Sequence, residues 1–563
     1  MRVLGFLSSV VLVCLWTAEA PRGADDSVEK IDRMVLLPMG ALPKAALPAS
    51  EKRVREDAAL RTFAVSLDNR PARVVRGPQQ IVRTLPGGTR FQTSLAPIDA
   101  PATFTIAVAG GPDISITAEP GKWTVARADL PPRKSVQVTE TLTAGANQMV
   151  LWADDRLIPL DVSRRHPDII LVSLDTTRPD YLTPYDPRES STPALARLAS
   201  EGMRFDQATS VTSWTMPAHA AVLTGHYPNI GLGFGSRVEP TELTLAELLS
   251  MEGYDTRGAS GGPYTDAAAG FQQGFRSYVD SSGWKNAAFI TDWAVDVVGN
   301  TSKSQPLFLF MNYFDAHEPT SGVSIDEWIP VDTGAKPLTD DFVRRIRAGY
   351  RRDLRTIDDQ LARLFAAFRT QRDWDNTIVV VFGDHGQLLG ERGAIGHAIS
   401  LDEELLRVPV LVKGTRSRPL RGVYPEQFQL HDLFPVMLDL AGLATPDKTM
   451  VPRLRARQPI RALAFAQLHH DPDPELMKRP RWRSVEQWAV RTDTMKVVRD
   501  REGRVTTVSV GRDVERPVTA PEITRRLLAE LDAFTAATTK PTGSLWQVPP
   551  EMRDRLRALG YIR

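Results

Sequence analysis

The 563-residue chain is 42% hydrophobic and 24% charged, ordinary values for a soluble globular protein with a large core. Its formal net charge of +1 gives no electrostatic reason to expect nucleic acid or an anionic membrane surface as a general partner. The length is too great for one domain and suggests about three.

Residues 1–20 have the form of a signal peptide: Arg2, an apolar run from Val3 to Trp16, then Ala18-Glu19-Ala20. Pro21 is awkward at that site, which moves the cut toward Gly23-Ala24. The run is too short for a membrane span. Cys14, the single cysteine, lies inside it, and Val13 fits a lipid-attachment box poorly. The expectation is an exported protein, periplasmic or secreted, with no lipid anchor, no membrane span and no disulfide in the mature chain. Residues 21–60, rich in Ala, Pro and charge, read as a linker. From 61 to 161 the runs TFAVSL, FQTSLA, ATFTIAVA, DISITA, KWTVARADL, SVQVTETL and QMVLWA alternate between Gly, Pro and Asp punctuation, the texture of a β-sandwich or jelly roll. Trp123 and Trp152 read as core packing rather than a sugar platform.

Residues 162–448 change period. DIILVSL, PLFLFMNYF and NTIVVVFGD are continuous apolar runs suited to buried parallel strands. TPALARLASEGM, LTLAELLSMEGY, a long helix from about Thr339 to Thr370 and HDLFPVMLDLAGL alternate with them. This predicts a doubly wound α/β domain, with residues 449–563 as a small C-terminal α+β part.

In such sheets ligands bind beyond the carboxyl ends of the strands. DIILVSL runs into Asp175, PLFLFMNYF into Asp315-Ala316-His317, and NTIVVVFG into Asp384-His385, with His397 further on. Taken singly, Asp175 reads better as a cap of the next helix. In SWTMPAHAAVLTGH, Thr215 sits where an extended segment turns into a helix, either as an N-cap or as a nucleophile at the anion-favouring helix end. Asp175, Thr215, Asp384 and His385 together supply O and N ligands for one divalent cation, which would hold the Thr215 oxygen as an alkoxide. Mixed ligands favour Zn²⁺ or Mn²⁺ over Ca²⁺. His317 and His397 are left to bind substrate oxygens, protonate a leaving group or hold a second metal. His219, one turn into the helix, is read either as a substrate contact or as a packed histidine. His166, His226 and His431 read as structural, and His469-His470 as a solvated loop.

The motifs VSLDTTRPDYL, TPALARLASEGMRF, SWTMPAHAAVLTGHYP, FMNYFDAHEP, VVFGDHGQLLGERGAIGHAISLDEELLRVPVLVKG and DLFPVMLDLAGL resemble, in order, the sulfatase family of the alkaline-phosphatase superfamily. WAVRTDTMKVVRDREGR and PPEMRDRLRALGYIR resemble the end of bacterial members. The resemblance implies metal ligands at Asp175, Thr215, Asp384 and His385, with His317 and His397 on the substrate side. The departures are informative. Sulfatases mature a Cys or Ser in a C/S-x-P-x-R box to formylglycine, whereas this box reads Thr215-Met216-Pro217-Ala218-His219. Thr176 replaces the second Asp of the usual pair, and GASGGPYTDAAAGF lacks the lysine–histidine segment of arylsulfatases. A threonine at this place is similar to lipoteichoic acid synthases and phosphoethanolamine transferases, relatives that form a phosphothreonine. The expectation is an exported metal-dependent hydrolase of phosphate or phosphonate esters, more than sulfate esters, acting on a small or glycan-linked anion. A phosphoryl transferase and a non-catalytic glycan-binding protein are the competing readings.

Overall fold

The computed structural model describes residues 54–57, 62–65, 68–160, 166–227, 237–239, 242–281, 286–443, 445–470, 485–511 and 515–538. The stretch read as a signal peptide, most of the linker and the closing PPEMRDRLRALGYIR lie outside these residues. Strand β1 (Val54–Asp57) starts within the stretch read as linker, because it pairs antiparallel with β2 (Thr62–Val65). Then follow β3 (Asp68–Arg76), β4 (Gln79–Leu85), β5 (Thr89–Pro97), β6 (Ala102–Val108), β7 (Ile114–Ala118), β8 (Thr124–Asp129), β9 (Val136–Thr143) and β10 (Met149–Pro159).

These strands make two facing sheets, β4-β9-β6-β7 and β3-β10-β5-β8. Phe104, Ile106, Val138 and Leu142 of the first pack against Phe91, Leu95, Val150 and Trp152 of the second. Trp152 is buried edge-on against Phe104, and Trp123 donates its indole N–H to the Asp68 carbonyl, so both indoles are structural.

The main domain contains β11 (Asp168–Leu174), β12 (Met203–Thr209), β13 (Asp255–Ala259), β14 (Ser277–Val279), β15 (Leu307–Tyr313), β16 (Thr377–Gly383), β17 (Leu388–Leu389), β18 (Ile395–Gly396), β19 (Val410–Lys413) and β20 (Gly422–Gln429). Its sheet runs β20-β12-β19-β16-β11-β15-β13-β14, and only β19 opposes its neighbours. Helices α1 (Pro193–Glu201), α2 (Thr215–Thr224), α3 (Leu245–Met251), α4 (Ala287–Asn300), α5 (Ile325–Asp332), α6 (Asp340–Gln371), α7 (Glu403–Leu406) and α8 (Leu433–Ala441) lie along it.

The apolar runs are continuous because both faces are covered. Ile169, Leu171, Phe308, Phe310, Ile378 and Val380 meet α2, α3 and α8, while Ile170, Val172, Leu309, Met311, Val379 and Val381 meet α1, α4 and α6.

The sandwich is not a detached module. Tyr278 and Val279 of β14 pair with Asn69 and Asp68 of β3, so one 14-stranded sheet spans both parts. Asn69 Nδ2 donates to the Tyr278 carbonyl at 2.9 Å, and Ser277 Oγ to Asp68 at 2.6 Å.

After α9 (Met450–Arg455), strands β21 (Ala464–His470), β22 (Val485–Arg491), β23 (Met495–Asp500), β24 (Val505–Val510) and β25 (Glu515–Pro517) form an antiparallel sheet. Helix α10 (Pro521–Thr538) covers it through Leu527 and Leu531. His469-His470, expected in a loop, end β21, where strand pairing to Glu486 and Val485 holds them. Among the described residues no helix is long and apolar enough to cross a membrane.

Candidate metal and nucleophile site

The register of the three central strands builds the site. Leu174 of β11 pairs with Tyr313 of β15 on one side and Gly383 of β16 on the other. The next residues, Asp175 and Asp384, therefore leave the sheet side by side at its carboxyl edge, with His385 following. All three are fully buried, and ligating atoms from all three lie within 4.8 Å of one another.

Thr215 is the first residue of α2. The helix has no side-chain cap, since Trp214 occupies the N-cap position, so the capping role is not the one this hydroxyl plays. Its Oγ1 instead lies 3.2 Å from His385 Nε2 and donates to Asp175 Oδ2 at 3.5 Å. The helix is buried along its whole length, and alanines at 218, 220 and 221 allow that close seating.

Asp175 does not cap a helix either. Among the described residues its Oδ1 has no hydrogen-bond partner, and neither has Asp384 Oδ2, which lies 3.3 Å from His385 Nε2, while Asp384 Oδ1 accepts the amides of Thr176 at 3.0 Å and His385 at 2.8 Å. Burial and mutual repulsion push the Asp175 carboxyl far up, and burial raises Asp384. Burial also drives the His385 imidazole well below its usual value. Two buried carboxylates with orphaned oxygens and a neutral imidazole fit a divalent cation, whose charge would hold both carboxylates ionised. His385 Nδ1 faces the Gly386 carbonyl at 2.9 Å, which leaves Nε2 as the ligating nitrogen.

Thr176 has φ +53, a costly conformation for a β-branched residue. Its amide is held by Asp384 and its carbonyl accepts from Tyr350 Oη at 2.6 Å. Its hydroxyl turns back to the Asp175 carbonyl, so it adds no oxygen to the cluster. Asp315 spends one carboxylate oxygen on the Ala287 amide at the start of α4.

His317 and His397 lie beside this cluster. The His385 and His397 rings stack with centroids 4.7 Å apart, and His317 meets His397 edge-on at 4.9 Å. Burial lowers both imidazoles to about 3. His219, one of the residues expected to contact substrate, takes the packed alternative. It is fully buried, with Nδ1 2.8 Å from the Thr215 carbonyl and Nε2 2.7 Å from Ser173 Oγ. Phe271, Phe310 and Phe382 surround the ring. His219 thus braces the backbone of Thr215 from behind.

Sequence reasoning missed Glu318, which joins His317 and His397 in a second buried group of possible ligands. It also missed Asn312, whose side-chain amide lies 3.1 Å from His219 Nε2. Glu318 follows His317 directly in FDAHEP, and that adjacency was the available signal. Arg178, the basic residue nearest Asp175 in sequence, is taken by Asp180 and Glu391. Of the histidines read as structural, His166 stacks on Tyr254 and His431 lies 2.9 Å from Arg461, while His226 is exposed.

Comparison with known proteins agrees with this geometry. A family model described as Sulfatase matches residues 167–443. The multifunctional alkaline phosphatase superfamily protein PehA of Trinickia caryophylli is 32% identical over 110 residues, 19% of this chain and 21% of its own length. An N-acetylglucosamine-6-O-sulfatase of Bacteroides thetaiotaomicron is 22% identical over 51% of this chain and 70% of its own. The structure of the phosphonate monoester hydrolase SpPMH from Silicibacter pomeroyi superposes with a TM-score of 0.54 at 17% identity, covering 66% of this chain and 96% of that one. The family match makes residues 167–443, the part that carries Asp175, Thr215, Asp384 and His385, a sulfatase-family domain.

Proposed function

We propose that the protein is an exported, metal-dependent hydrolase that cleaves phosphate or phosphonate esters through Thr215. One observation carries this reading: the Thr215 hydroxyl, first in its helix, points into the cluster of Asp175, Asp384 and His385 rather than capping the helix. A divalent cation bound by Asp175, Asp384, His385 and the Thr215 oxygen would supply positive charge that lowers the hydroxyl's pKa and polarises the ester. The hydroxyl silent in Thr176 favours Zn²⁺ or Mn²⁺ over an oxygen-hungry Ca²⁺.

In this scheme Thr215 Oγ1 forms a P–O bond as its proton passes to His317 or His397, kept neutral by burial, the bond to the alcohol breaks, and the imidazolium so formed returns that proton to the departing alcohol. Water then hydrolyses the threonine ester. The positive end of α2 favours the anion throughout. Phosphorus esters are preferred to sulfate esters because a threonine cannot become formylglycine. A small or glycan-linked ester suits the sulfatase relatives, one of which is named for an amino sugar. Export rests on Arg2 and the apolar run from Val3 to Trp16, and periplasmic or secreted protein in cell fractions tests it.

The kinetic test is Thr215→Ala against Thr215→Ser on phosphate mono- and diesters, phosphonates and sulfates. The serine variant retains turnover, because only a methyl is lost, and the alanine variant loses it. Wild-type turnover in Thr215→Ala removes the mechanism. Phosphoryl transfer to an added alcohol in preference to water would favour the transferase, and a wild-type protein that binds no metal would favour the glycan-binding module.

A further inference from the structure

We infer that Glu318 is the positioning residue of both site histidines, and that its carboxylate selects His397 as the one that carries the proton. The inference rests on the Thr215 reading above.

One residue meets both rings. The Glu318 carbonyl lies 2.8 Å from His317 Nδ1, and its carboxylate lies 3.0 Å (Oε1) and 3.1 Å (Oε2) from His397 Nδ1. Carbonyl and carboxylate oxygens accept hydrogen bonds, so each Nδ1 carries a hydrogen and each lone pair sits on Nε2. Glu318 thereby sets the tautomer of both imidazoles.

The two holds differ in charge. A neutral carbonyl fixes the His317 ring and does little more, and His317 Nδ1 stands 3.9 Å from Oε2. The carboxylate fixes the His397 ring and also stabilises the imidazolium that forms when a proton reaches Nε2, as a buried aspartate does for its histidine in a serine triad. Glu318 is only 8% exposed. Among the described residues no arginine or lysine pairs with it, so its charge is directed at the histidines.

The backbone at His397 is an independent observation. Gly396 (φ +88) and Ala398 (φ +57) flank it in left-handed conformations, which carry a cost for alanine. The Ala398 amide donates to the Ser213 carbonyl at 3.0 Å, two residues before Thr215. His397 is therefore tied to the segment of Thr215 by its backbone and aimed by Glu318 through its ring. That ring stacks on His385, whose Nε2 lies 3.2 Å from Thr215 Oγ1.

The proton is conserved over a turnover. It moves from Oγ1 to His397 Nε2 as Thr215 bonds to phosphorus, then to the alcohol oxygen as the bond between that oxygen and phosphorus breaks. In the second half, water bonds to phosphorus and gives a proton to Nε2. That proton returns to Oγ1 as the threonine ester opens, and His397 ends neutral.

The test measures kcat on an ester with a nitrophenol leaving group, which departs as an anion, and on one with an alkyl alcohol, which needs a proton. Glu318→Leu should lower kcat about 100-fold or more on the alkyl ester, the size of a lost proton transfer, and far less on the nitrophenyl ester. Glu318→Gln keeps an acceptor for Nδ1 and should recover part of the loss. The effect of Glu318→Leu should vanish in a His397→Ala background and persist in a His317→Ala background. An equal loss on both esters, or a loss that multiplies onto that of His397→Ala, overturns the inference. If Thr215→Ala is inactive in the same assays, the nucleophile reading survives that result; wild-type turnover in Thr215→Ala removes both. Should the leucine variant fail to fold, ¹⁵N NMR of histidine-labelled wild-type protein decides. An Nδ1–H tautomer at His397 supports the role of Glu318, and an Nε2–H tautomer overturns it.

Discussion

The Thr215 side chain is held from two directions, and the less visible one is testable. In front are Asp175 and His385; behind, His219 Nδ1 meets its carbonyl while Nε2 meets Ser173 and Asn312. Replacing His219 with alanine deletes a packed ring and strands buried polar partners, an expected loss of about 1–3 kcal/mol in urea denaturation. The same variant should lose turnover in kcat rather than KM, because it loosens the proposed nucleophile and not a substrate contact. A variant that raises KM alone would restore His219 to the substrate side. Asp175, Asp384 and His385 were legible in the sequence because a polar residue directly after a wholly apolar strand is conspicuous. Glu318 and Asn312 were not: a glutamate beside a histidine reads as a loop charge, and Asn312 lies inside a strand whose partners come from 93 residues away.

At the level of elements, the same logic separates what was legible from what was not. β11, β15 and β16 announce themselves because both faces are covered. β4 was missed because QQIVRTL carries polar residues on an exposed face, and β3 because DNRPARVVR opens with polar residues, Asn69 and Arg70, that are buried only by tertiary pairing. The antiparallel sense of β19 leaves no trace in its composition, since a buried strand reads the same in either direction. Within the sandwich, Glu140 on β9 faces Arg83 of β4 at 3.0 Å, yet its second oxygen has no hydrogen-bond partner among the described residues. Burial lifts its carboxyl to about 7. A carboxyl raised in the fold binds its proton more tightly there than in the unfolded chain, so its contribution is present at low pH and lost as pH rises from about 4.5 toward 7. Glu140→Gln should therefore gain stability relative to wild type as pH rises from 5 to 7.5, by on the order of 2 kcal/mol in urea midpoints. Parallel pH curves for the two proteins would contradict this.

Across the whole molecule, both flanking parts reach the catalytic sheet. The β3–β14 seam makes the sandwich an extension of that sheet, so a chain beginning at residue 166 exposes the edge of β14 and should be insoluble or inactive. A soluble, active truncation would make the sandwich an accessory. At the other end, Lys496 of β23 is buried against Glu403 and Glu515 and donates to the Leu401 carbonyl at 2.6 Å, clamping the loop that follows His397. Lys496→Met leaves two buried carboxylates with less compensation and should cost about 3–5 kcal/mol, seen as a lower urea midpoint. Neither link was legible, because a pairing between distant segments depends on tertiary placement that local pattern does not encode. All these supports converge on one hydroxyl, and the most direct measurement concerns it. Enzyme quenched in acid during turnover of a phosphate ester, digested and analysed by mass spectrometry, should carry a phosphate on the peptide containing Thr215, absent from Thr215→Ala. A wild-type enzyme that turns over rapidly and never accumulates that adduct, even with the water-dependent step slowed by His317 or His397 substitution, would contradict the nucleophilic role of Thr215.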